Sequence, residues 1–238
     1  MSLIQLAETA STNTWLKQHR GELCHGDAVT ALRQTEGRGR MGHTWLDAEG
    51  MLPISVLLRN IPHPQTVTLA AGAAVCAALE ELTHEPVMIK WPNDIILRGH
   101  KLCGILCESI ANGDGIDVIC GVGLNISQSS EYFKKAQIPH GGSLKSILGI
   151  DADRNSLARA LMERITLYSI KPFDEIYDVY KEHCITLGNQ VRIIKNSAEQ
   201  IAFADDIAAN GHLICHDDNG SFEVNSGEVS VRGLLDYI

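Results

Sequence analysis

The sequence predicts a mixed region of helices and strands followed by a small β-barrel. Helical and strand-like segments alternate up to Cys184, and after Gly188 the segments become short and strand-like. The dipeptides Asn210-Gly211 and Asn219-Gly220 are typical of hairpin turns between such strands. A run of about 50 residues of short antiparallel strands indicates a small barrel. We therefore expect one domain over 1–186 and a second over 187–238.

Local patterns predict the helices of the first region. The polar start at Ser11 indicates a helix that ends at Gln18, and Asp153 can cap a helix that runs to Ile170. Alanine on nearly every side of Thr66–Leu82 predicts a helix buried between layers, and a further helix is predicted over Phe173–Cys184.

Apolar runs bounded by turn residues predict the strands. In the first region these runs are Ala28–Arg33, Ile54–Leu58, Val87–Lys90, Leu102–Glu108 and Val118–Ile126. In the second region they are Val191–Ile194, Gln200–Ala204, His212–Cys215, Ser221–Val224 and Val229–Val231.

Composition excludes several classes of protein. With 45% hydrophobic and 21% charged residues, the chain of 238 residues is typical of a folded protein rather than a disordered one. A net charge of -9 argues against a non-specific nucleic-acid binder, so we expect no DNA binding. No apolar run reaches the roughly 18 residues typical of a membrane span, so no membrane association is expected.

The seven cysteines are an odd number and are scattered singly. No signal peptide is recognised at the start of the chain, so reduced cysteines in a cytoplasmic protein are expected. Cys103 and Cys107 are the nearest to a metal-binding pair. Four residues of a strand span about 13 Å, which is too far for the two thiols to share one zinc ion.

The segment from Gly37 to Gly42 reads Gly-Arg-Gly-Arg-Met-Gly and is the most informative feature of the chain. Its glycines let the backbone approach a ligand closely, while Arg38 and Arg40 supply positive charge. The letters match a dinucleotide-binding fingerprint, but Gly50 and Pro53 break the stretch that should be helical, and no acidic residue stands at the required spacing. We interpret the segment as a flexible loop that closes over a phosphate or a carboxylate.

Two segments combine polar groups at the end or start of a strand. In Lys90-Trp91-Pro92-Asn93-Asp94, Lys90 and Asn93 are candidate phosphate ligands and Asp94 a candidate Mg²⁺ ligand, although a rigid turn with solvated charges explains the same residues. Lys101 begins a strand that contains Gly104. A glycine inside a strand often marks a close approach by a ligand, and a lone lysine there is often merely solvated.

Two further segments offer hydroxyl and amide groups. Asn125 follows an apolar strand with two glycines, and its amide is suited to reading a purine edge or to forming a turn. Ser11-Thr12-Asn13 precedes a helix, where such residues either cap the helix or bind a polar ligand head.

Taken together, these motifs resemble the biotin protein ligase family. The matching segments, in order, are Ser11–Asn13, Gln34–Gly42, Trp45, Lys90–Asp94, Lys101–Leu106, Gly121–Asn125 and Gly227–Arg232. The resemblance implies an α+β catalytic domain with a mixed β-sheet and packed helices, related in architecture to class II aminoacyl-tRNA synthetases, followed by an SH3-like barrel.

The resemblance also implies the reaction and the roles of individual residues. Biotin and MgATP would give biotinyl-5′-AMP, which then biotinylates a lysine on the biotin carboxyl carrier domain of a biotin-dependent carboxylase. Implied catalytic residues are Lys101 and Arg40. Implied biotin contacts are Ser11, Thr12, Asn13, Gln34, Arg38, Gly39, Arg40, Lys101 and Gly104. Implied ATP contacts are Arg40, Lys90, Asn93 and Asn125, with Asp94 as the implied Mg²⁺ ligand.

The chain departs from the family pattern at Met41, where a basic residue is common, and at Pro53, where the strand entry is usually uninterrupted. The first motif begins at Ser11, so we expect a ligase without an N-terminal DNA-binding domain, as a monomer or a homodimer. Two rival functions are lipoate or octanoate transfer on the same fold and a non-catalytic biotin-binding module. The phosphate-side residues Arg40, Asn93 and Asn125 argue against the second.

Overall fold

A mixed β-sheet with helices on both faces makes up the larger part of the chain. The computed structural model describes residues 1–46, 48–113, 115–195, 198–227 and 230–233. The strands of this sheet are β1 (Leu3–Thr9), β2 (Ala28–Gln34), β3 (Met51–Leu58), β4 (Val87–Lys90), β5 (Asp94–Leu97), β6 (His100–Asn112) and β7 (Gly115–Asn125). The helices are α1 (Thr12–His19), α2 (Val67–Thr83), α3 (Ser130–Lys135), α4 (Leu144–Leu148), α5 (Arg154–Ser169) and α6 (Asp174–His183).

The described strands of this sheet lie in the order β1-β2-β3-β7-β6-β5-β4. β1 runs parallel to β2, and the other neighbouring strands are antiparallel. The mixed sheet with packed helices that the sequence predicts is therefore confirmed.

Different helices cover the two faces of the sheet. Leu57 of β3 and Ile119 of β7 pack with Leu16 of α1 in a small cluster. Val56 and Leu58, which flank Leu57, belong instead to the main core with α2, α5 and α6. Because successive residues of a strand point to opposite faces, α1 covers one face of the sheet, here called the α1 face, and α2, α5 and α6 cover the other.

The alanine-rich helix α2 is buried, as the sequence predicts. Its small side chains allow it to lie between the sheet and α5. By length and composition alone, Pro64–Thr83 would be able to cross a membrane. Its burial inside the protein is what the core helix of a globular domain requires.

A second, antiparallel sheet follows Gly188. Its strands are β8 (Gln190–Lys195), β9 (Ala198–Ile207), β10 (Leu213–Asp217), β11 (Gly220–Val224) and β12 (Ser230–Gly233), in the order β11-β10-β9-β8-β12. The strands predicted from residue 191 onward are present, although Val229 lies outside the described residues. Within the described residues β11 and β12 are not paired with each other, so the closed SH3-like barrel is not confirmed.

The two sheets are joined by buried and half-buried contacts. The indole nitrogen of Trp91, which follows β4, donates to the carbonyl of Gly211 at 3.2 Å. The hydroxyl of Tyr177 on α6 donates to Asp206 Oδ1 at 2.5 Å.

Several elements lack a clear signal in the sequence. β1 is an edge strand with half-exposed side chains, and α3 and α4 have only 6 and 5 residues. β5 has four residues and begins at Asp94, inside the segment that the sequence marks as a turn. Short elements such as these show too few periods for a pattern to be read.

Pro53 lies inside β3 without disrupting it. The pairing of β2 with β3 extends only from Ala28 opposite Val56 to Thr30 opposite Ile54. The carbonyl of Pro53 accepts a hydrogen bond from Thr30 Oγ1 at 2.7 Å and therefore faces β2. The nitrogen and the carbonyl of one strand residue point to the same side, so the nitrogen of Pro53 also faces β2, beyond the last paired residues. Proline is tolerated there because no ladder hydrogen bond requires its missing N–H group.

Arg154, the first residue of α5, fills the space where β2 and β3 separate. Its Nη1 donates to the carbonyl of Met51 at 2.6 Å. Its Nη2 donates to Thr30 Oγ1 at 3.2 Å and to the carbonyl of Ala31. The guanidinium thus replaces the hydrogen bonds that the ladder no longer supplies.

We expect Arg154→Met to lower the free energy of unfolding by about 2 kcal/mol, because hydrogen bonds from a charged donor contribute about 1.5–3 kcal/mol. Urea unfolding followed by circular dichroism measures the change. Arg159→Met, on the exposed side of the same helix, is the matched control and should change the free energy by less than about 0.5 kcal/mol. Equal losses in both variants would contradict the role given to Arg154.

Candidate active site

One row of residues across five strands forms the floor of the candidate site. In order across β4, β5, β6, β7 and β3, the row is Lys90, Asp94, Gly104, Gly123 and Pro53. Directly opposed residues share a face of the sheet. That face is the α1 face, because Ser55, two residues beyond Pro53, contacts Asn13 of α1. A cavity of about 710 Å³ lies over the row, a volume typical of small-molecule sites.

The indole of Trp45 lies directly on the two glycines at the centre of the row. A Cβ atom at Gly104 would lie 2.8 Å from the ring, and one at Gly123 would lie 2.6 Å from it. The indole nitrogen contacts the sulfur of Met51 at 2.8 Å, and Lys101 Nζ lies 5.5 Å from the ring centroid. The group that approaches Gly104 closely in this structure is the side chain of Trp45, so contact between a ligand and Gly104 stays a prediction.

Residues 37–45 form a hairpin, called the Arg-Gly hairpin below. The N–H of Trp45 donates to the carbonyl of Gly37 at 3.0 Å, and the N–H of Gly39 donates to that of His43 at 2.7 Å. At the tip Met41 has a φ of 53°, a left-handed conformation that costs energy outside glycine. The glycine-rich stretch thus holds Trp45 on the sheet and directs its arginines to two different partners.

Arg40 contacts the nucleotide side of the predicted site. Its Nη1 donates to Asn93 Oδ1 at 2.9 Å. Its Nη2 donates to the carbonyl of Ser226, which lies between β11 and β12 of the second sheet. Burial lowers the pKa of Arg40, and the negative charge of Asp94 opposes that decrease. A guanidinium with reduced hydration attracts an anion more strongly than one in bulk water.

Lys101 is paired with Asp94 at 2.8 Å, and both side chains are largely buried. The backbone N–H of Lys101 donates to the carbonyl of His140 at 2.7 Å, which fixes the start of β6. These charges are not simply solvated, so the interpretation of Lys101 as an ordinary strand-end lysine is not supported by its surroundings.

The donors present fit magnesium only as a phosphate-bound ion. Among the described residues that line the cavity, Asp94 is the single carboxylate. No group of three His, Cys, Asp or Glu side chains is placed to hold a metal in the described parts of the chain. Mg²⁺ commonly binds through one or two carboxylates together with substrate phosphates, and Asp94 meets that requirement.

The start of α1 is capped by a residue from β2. Gln34 Oε1 accepts hydrogen bonds from the N–H of Thr12 at 2.8 Å and from its hydroxyl at 3.0 Å. Ser11, at the N-cap position, makes no side-chain cap hydrogen bond, although it is buried and lines the cavity. Ser55 Oγ lies 2.6 Å from Asn13 Oδ1. Thr12 and Asn13 are therefore fixed from two sides.

Most of the residues predicted from the sequence meet in this cavity. They are Ser11, Thr12, Asn13, Gln34, Arg38, Gly39, Arg40, Lys90, Asn93, Asp94, Lys101 and Gly104. Asn125 does not line it: the residue is buried, and its Oδ1 accepts a hydrogen bond from Gln128 Nε2 at 3.0 Å. It lies one row further along β7, opposite Met51, which contacts Trp45.

Some site residues carry no assigned role in the sequence interpretation. Trp45 lies against Gly123, and the register of β3 and β7 places Pro53 opposite Gly123 and Ser55 opposite Gly121. Arg192 and Val231 of the second sheet also line the cavity. No spacing rule connects such distant positions, so only the fold brings them together.

The chain is similar in sequence to a known family and to individual proteins. A profile of the Biotin/lipoate A/B protein ligase family matches residues 6–125. The chain is 33% identical to the biotin–[acetyl-CoA-carboxylase] ligase of Mycobacterium tuberculosis, over 94% of this chain and 86% of that protein. It is 29% identical to the bifunctional ligase/repressor BirA of Escherichia coli, over 93% of this chain and 71% of that protein.

A solved structure shares nearly the whole fold. The biotin protein ligase of Aquifex aeolicus, in complex with biotin and ATP, superposes with a TM-score of 0.84 at 31% identity. The match covers 98% of this chain and 99% of the other. The similarity therefore includes the second sheet as well as the first.

We expect Gly123→Ala to displace the indole of Trp45 while the fold persists, because the new methyl group would lie within 3 Å of the ring. The tryptophan emission and the near-ultraviolet circular dichroism should change, and overpacking should cost about 1–3 kcal/mol. Gly113→Ala is the matched control in the same β6–β7 hairpin, since its added methyl would meet nothing within 4 Å. Parental spectra for Gly123→Ala would show that Trp45 does not rest on this glycine.

Proposed function

Since this chain belongs to the Biotin/lipoate A/B protein ligase family, we propose that it joins biotin to a lysine of a carrier protein at the expense of ATP. It is an ATP-dependent ligase, and biotin and ATP are its small substrates. The carrier is the biotin carboxyl carrier domain of a biotin-dependent carboxylase. The observation that carries the proposal is the convergence of Lys101 and Arg40 on one cavity that also contains the hydroxyl and amide groups at the start of α1.

The first step joins two anions that repel each other in water. A carboxylate oxygen of biotin attacks the α-phosphorus of ATP, a phosphorus–oxygen bond forms, and pyrophosphate leaves with the electron pair of the bond that breaks. Lys101 would leave Asp94 and bridge the carboxylate and the α-phosphate, which reduces their repulsion and aligns the attack. Arg40 would turn from Asn93 towards the departing phosphates.

Mg²⁺ would bind at Asp94 together with the phosphates and would offset charge on the leaving pyrophosphate. The buried Lys90 in the same row adds a further positive charge near that position. Asn125 would reach the adenine only if Trp45 and Met51 shift, because the amide does not line the cavity in this structure. Its ATP role therefore requires a rearrangement around Trp45.

The second step transfers the acyl group. The amine of the carrier lysine attacks the acyl carbon of biotinyl-5′-AMP, an amide bond forms, and AMP leaves. The mixed anhydride is destroyed by water, so the Arg-Gly hairpin must cover it until the carrier arrives. Ser11, Thr12, Asn13 and Gln34 would hold the polar end of biotin, together with the backbone of Arg38 and Gly39.

We propose that residues 187–238 form an SH3-like domain whose Arg192 completes the wall of the cavity. The acidic balance of the chain supports a ligase that does not bind DNA. Lipoate also combines a carboxylate with an apolar tail, but the similarity to biotin ligases over most of the chain does not favour it.

The direct test is to incubate the protein with MgATP and either biotin or lipoate, without any carrier. We expect biotinyl-adenylate and pyrophosphate with biotin, identified by mass spectrometry, because adenylation needs only groups of this cavity. Adenylation of lipoate with none of biotin would overturn the substrate assignment, and the absence of both adenylates would overturn the proposed reaction.

We expect Lys101→Ala to slow single-turnover formation of the adenylate by about 10²–10³-fold at saturating biotin and ATP, since the loss of one donor to developing charge has effects of that size. Turnover should fall rather than only the Michaelis constant rise, because the two anions approach closely only in the transition state. Lys101→Arg should not restore the rate fully, since a planar fork does not replace a compact ammonium.

Lys145→Ala is the control for this variant, because Lys145 forms an exposed pair with Asp151 and is not among the residues that line the cavity. Its rate should equal the parental rate. A near-parental rate for Lys101→Ala would show that Lys101 does not bridge the reacting anions.

A further inference from the structure

Three donors converge on the carboxylate of Glu108, seven residues after Lys101 on β6. Lys17 Nζ lies 2.6 Å from Oε1, while Asn13 Nδ2 and Arg38 Nη2 each lie 2.8 Å from Oε2. The donors come from α1 and from the Arg-Gly hairpin, so this one carboxylate links the three elements that surround the biotin side of the cavity. The side chain of Glu108 is only 20% exposed.

The carboxylate is held in its ionised form. Burial alone would raise the pKa of Glu108, but the hydrogen bonds from Lys17 and Asn13 and the charge of Arg38 outweigh this and lower it. A fixed negative charge at this point is therefore a stable part of the site near neutral pH.

The Arg-Gly hairpin is attached to the sheet through its two arginines and Trp45. Arg40 binds Asn93 and the carbonyl of Ser226 on the nucleotide side, where incoming phosphates would compete for its guanidinium. Among the described residues, Glu108 is the carboxylate partner of Arg38. This second attachment does not depend on groups that the phosphates would approach, so it can persist throughout the reaction.

Glu108 also fixes the amide of Asn13. Its Oε2 takes one amide donor of Asn13, whose oxygen faces Ser55 at 2.6 Å. The amide lies against Gly121, where a Cβ atom would come within 2.2 Å of its oxygen. With both ends of the amide occupied, its orientation towards the cavity is set.

We propose that Glu108 is a positioning residue, which anchors Arg38 and Asn13 so that the Arg-Gly hairpin stays closed over the acyl-adenylate. It does not touch the reacting atoms. The inference rests on the proposed function and extends it to a residue outside the cavity lining. An ordinary exposed ion pair contributes little, but here a largely buried carboxylate uses both oxygens and joins the Arg-Gly hairpin to Asn13 of α1.

The test compares Glu108→Gln with the parental protein, and the quantity measured is the rate at which preformed biotinyl-adenylate escapes from the protein. The adenylate is formed from labelled biotin, unlabelled biotin is added as a chase, and filtration separates the bound label from the free label. Glu108→Gln keeps the size of the side chain but presents an amide donor to groups that already donate. Escape should become about tenfold faster, the loss expected when a hydrogen bond to a charged group is removed. The Michaelis constant for biotin should rise, while single-turnover adenylation at saturation should change by less than about threefold.

Lys17→Met is the matched control, because it removes an ion pair from the same carboxylate without touching the hairpin or the cavity lining. Its escape rate should stay near the parental rate. Arg38→Gln should reproduce the faster escape, and combining it with Glu108→Gln should add little, since both changes break the same contact. The side chain of Arg38 is 42% exposed, so Arg38→Gln should fold. Its escape rate therefore tests the role of the Arg38–Glu108 contact even if Glu108→Gln does not fold.

Parental escape rates in Glu108→Gln and Arg38→Gln would overturn this inference, as would additive effects in the double variant or equally fast escape from Lys17→Met. These outcomes require that the parental protein forms the adenylate. If it does not, the proposed function itself fails, and the two failures are thereby distinguished.

Discussion

The pairing of Gly104 with Gly123 is the constraint on which the site depends. Two glycines opposite each other leave a part of the α1 face without side chains, and Trp45 occupies it at distances that no Cβ atom would permit. The position of Trp45 fixes the end of the Arg-Gly hairpin. The hairpin then places Arg38 and Arg40 on opposite sides of the cavity.

A second constraint follows from the charges. Lys101, Arg40 and Arg38 are three of the cations that line the cavity, and each interacts with an internal partner in this structure. Lys101 is bound to Asp94, Arg40 to Asn93, and Arg38 to Glu108. In the proposed reaction the phosphates would approach the first two partners, whereas Glu108 contacts Asn13 and Lys17 of α1. Substrate anions can thus take over two cations while the third keeps the hairpin in place.

The sequence predicts the helices and strands that have a clear apolar pattern, and it predicts the site residues that belong to recognisable motifs. The buried helix α2 and the long strands β6 and β7 follow from their apolar patterns, and the glycine-arginine segment is visible from its composition alone. Partners that depend on strand register are not visible. That Glu108 meets Asn13, Lys17 and Arg38 follows from three separate elements, and no linear spacing relates them.

The sequence also does not decide between two roles where one residue type suits both. Ser11 is a normal N-cap residue, yet Gln34 from a neighbouring strand supplies the acceptor and leaves the serine hydroxyl for the cavity. Asn125 has the right chemistry for a purine, yet its amide oxygen accepts a hydrogen bond from Gln128 and the residue does not line the cavity. In both cases tertiary contacts decide between interpretations that propensity alone leaves equal.

We expect substrate anions to draw Lys101 away from Asp94 while Arg38 remains on Glu108. A crystal structure of the protein with a non-hydrolysable analogue of biotinyl-5′-AMP would show whether this exchange of partners takes place. We predict Lys101 Nζ within hydrogen-bond distance of both the phosphate and the acyl-side oxygen of the analogue, with the Arg38–Glu108 pair intact. A structure in which Lys101 still pairs with Asp94 and the phosphate lies away from both would contradict it.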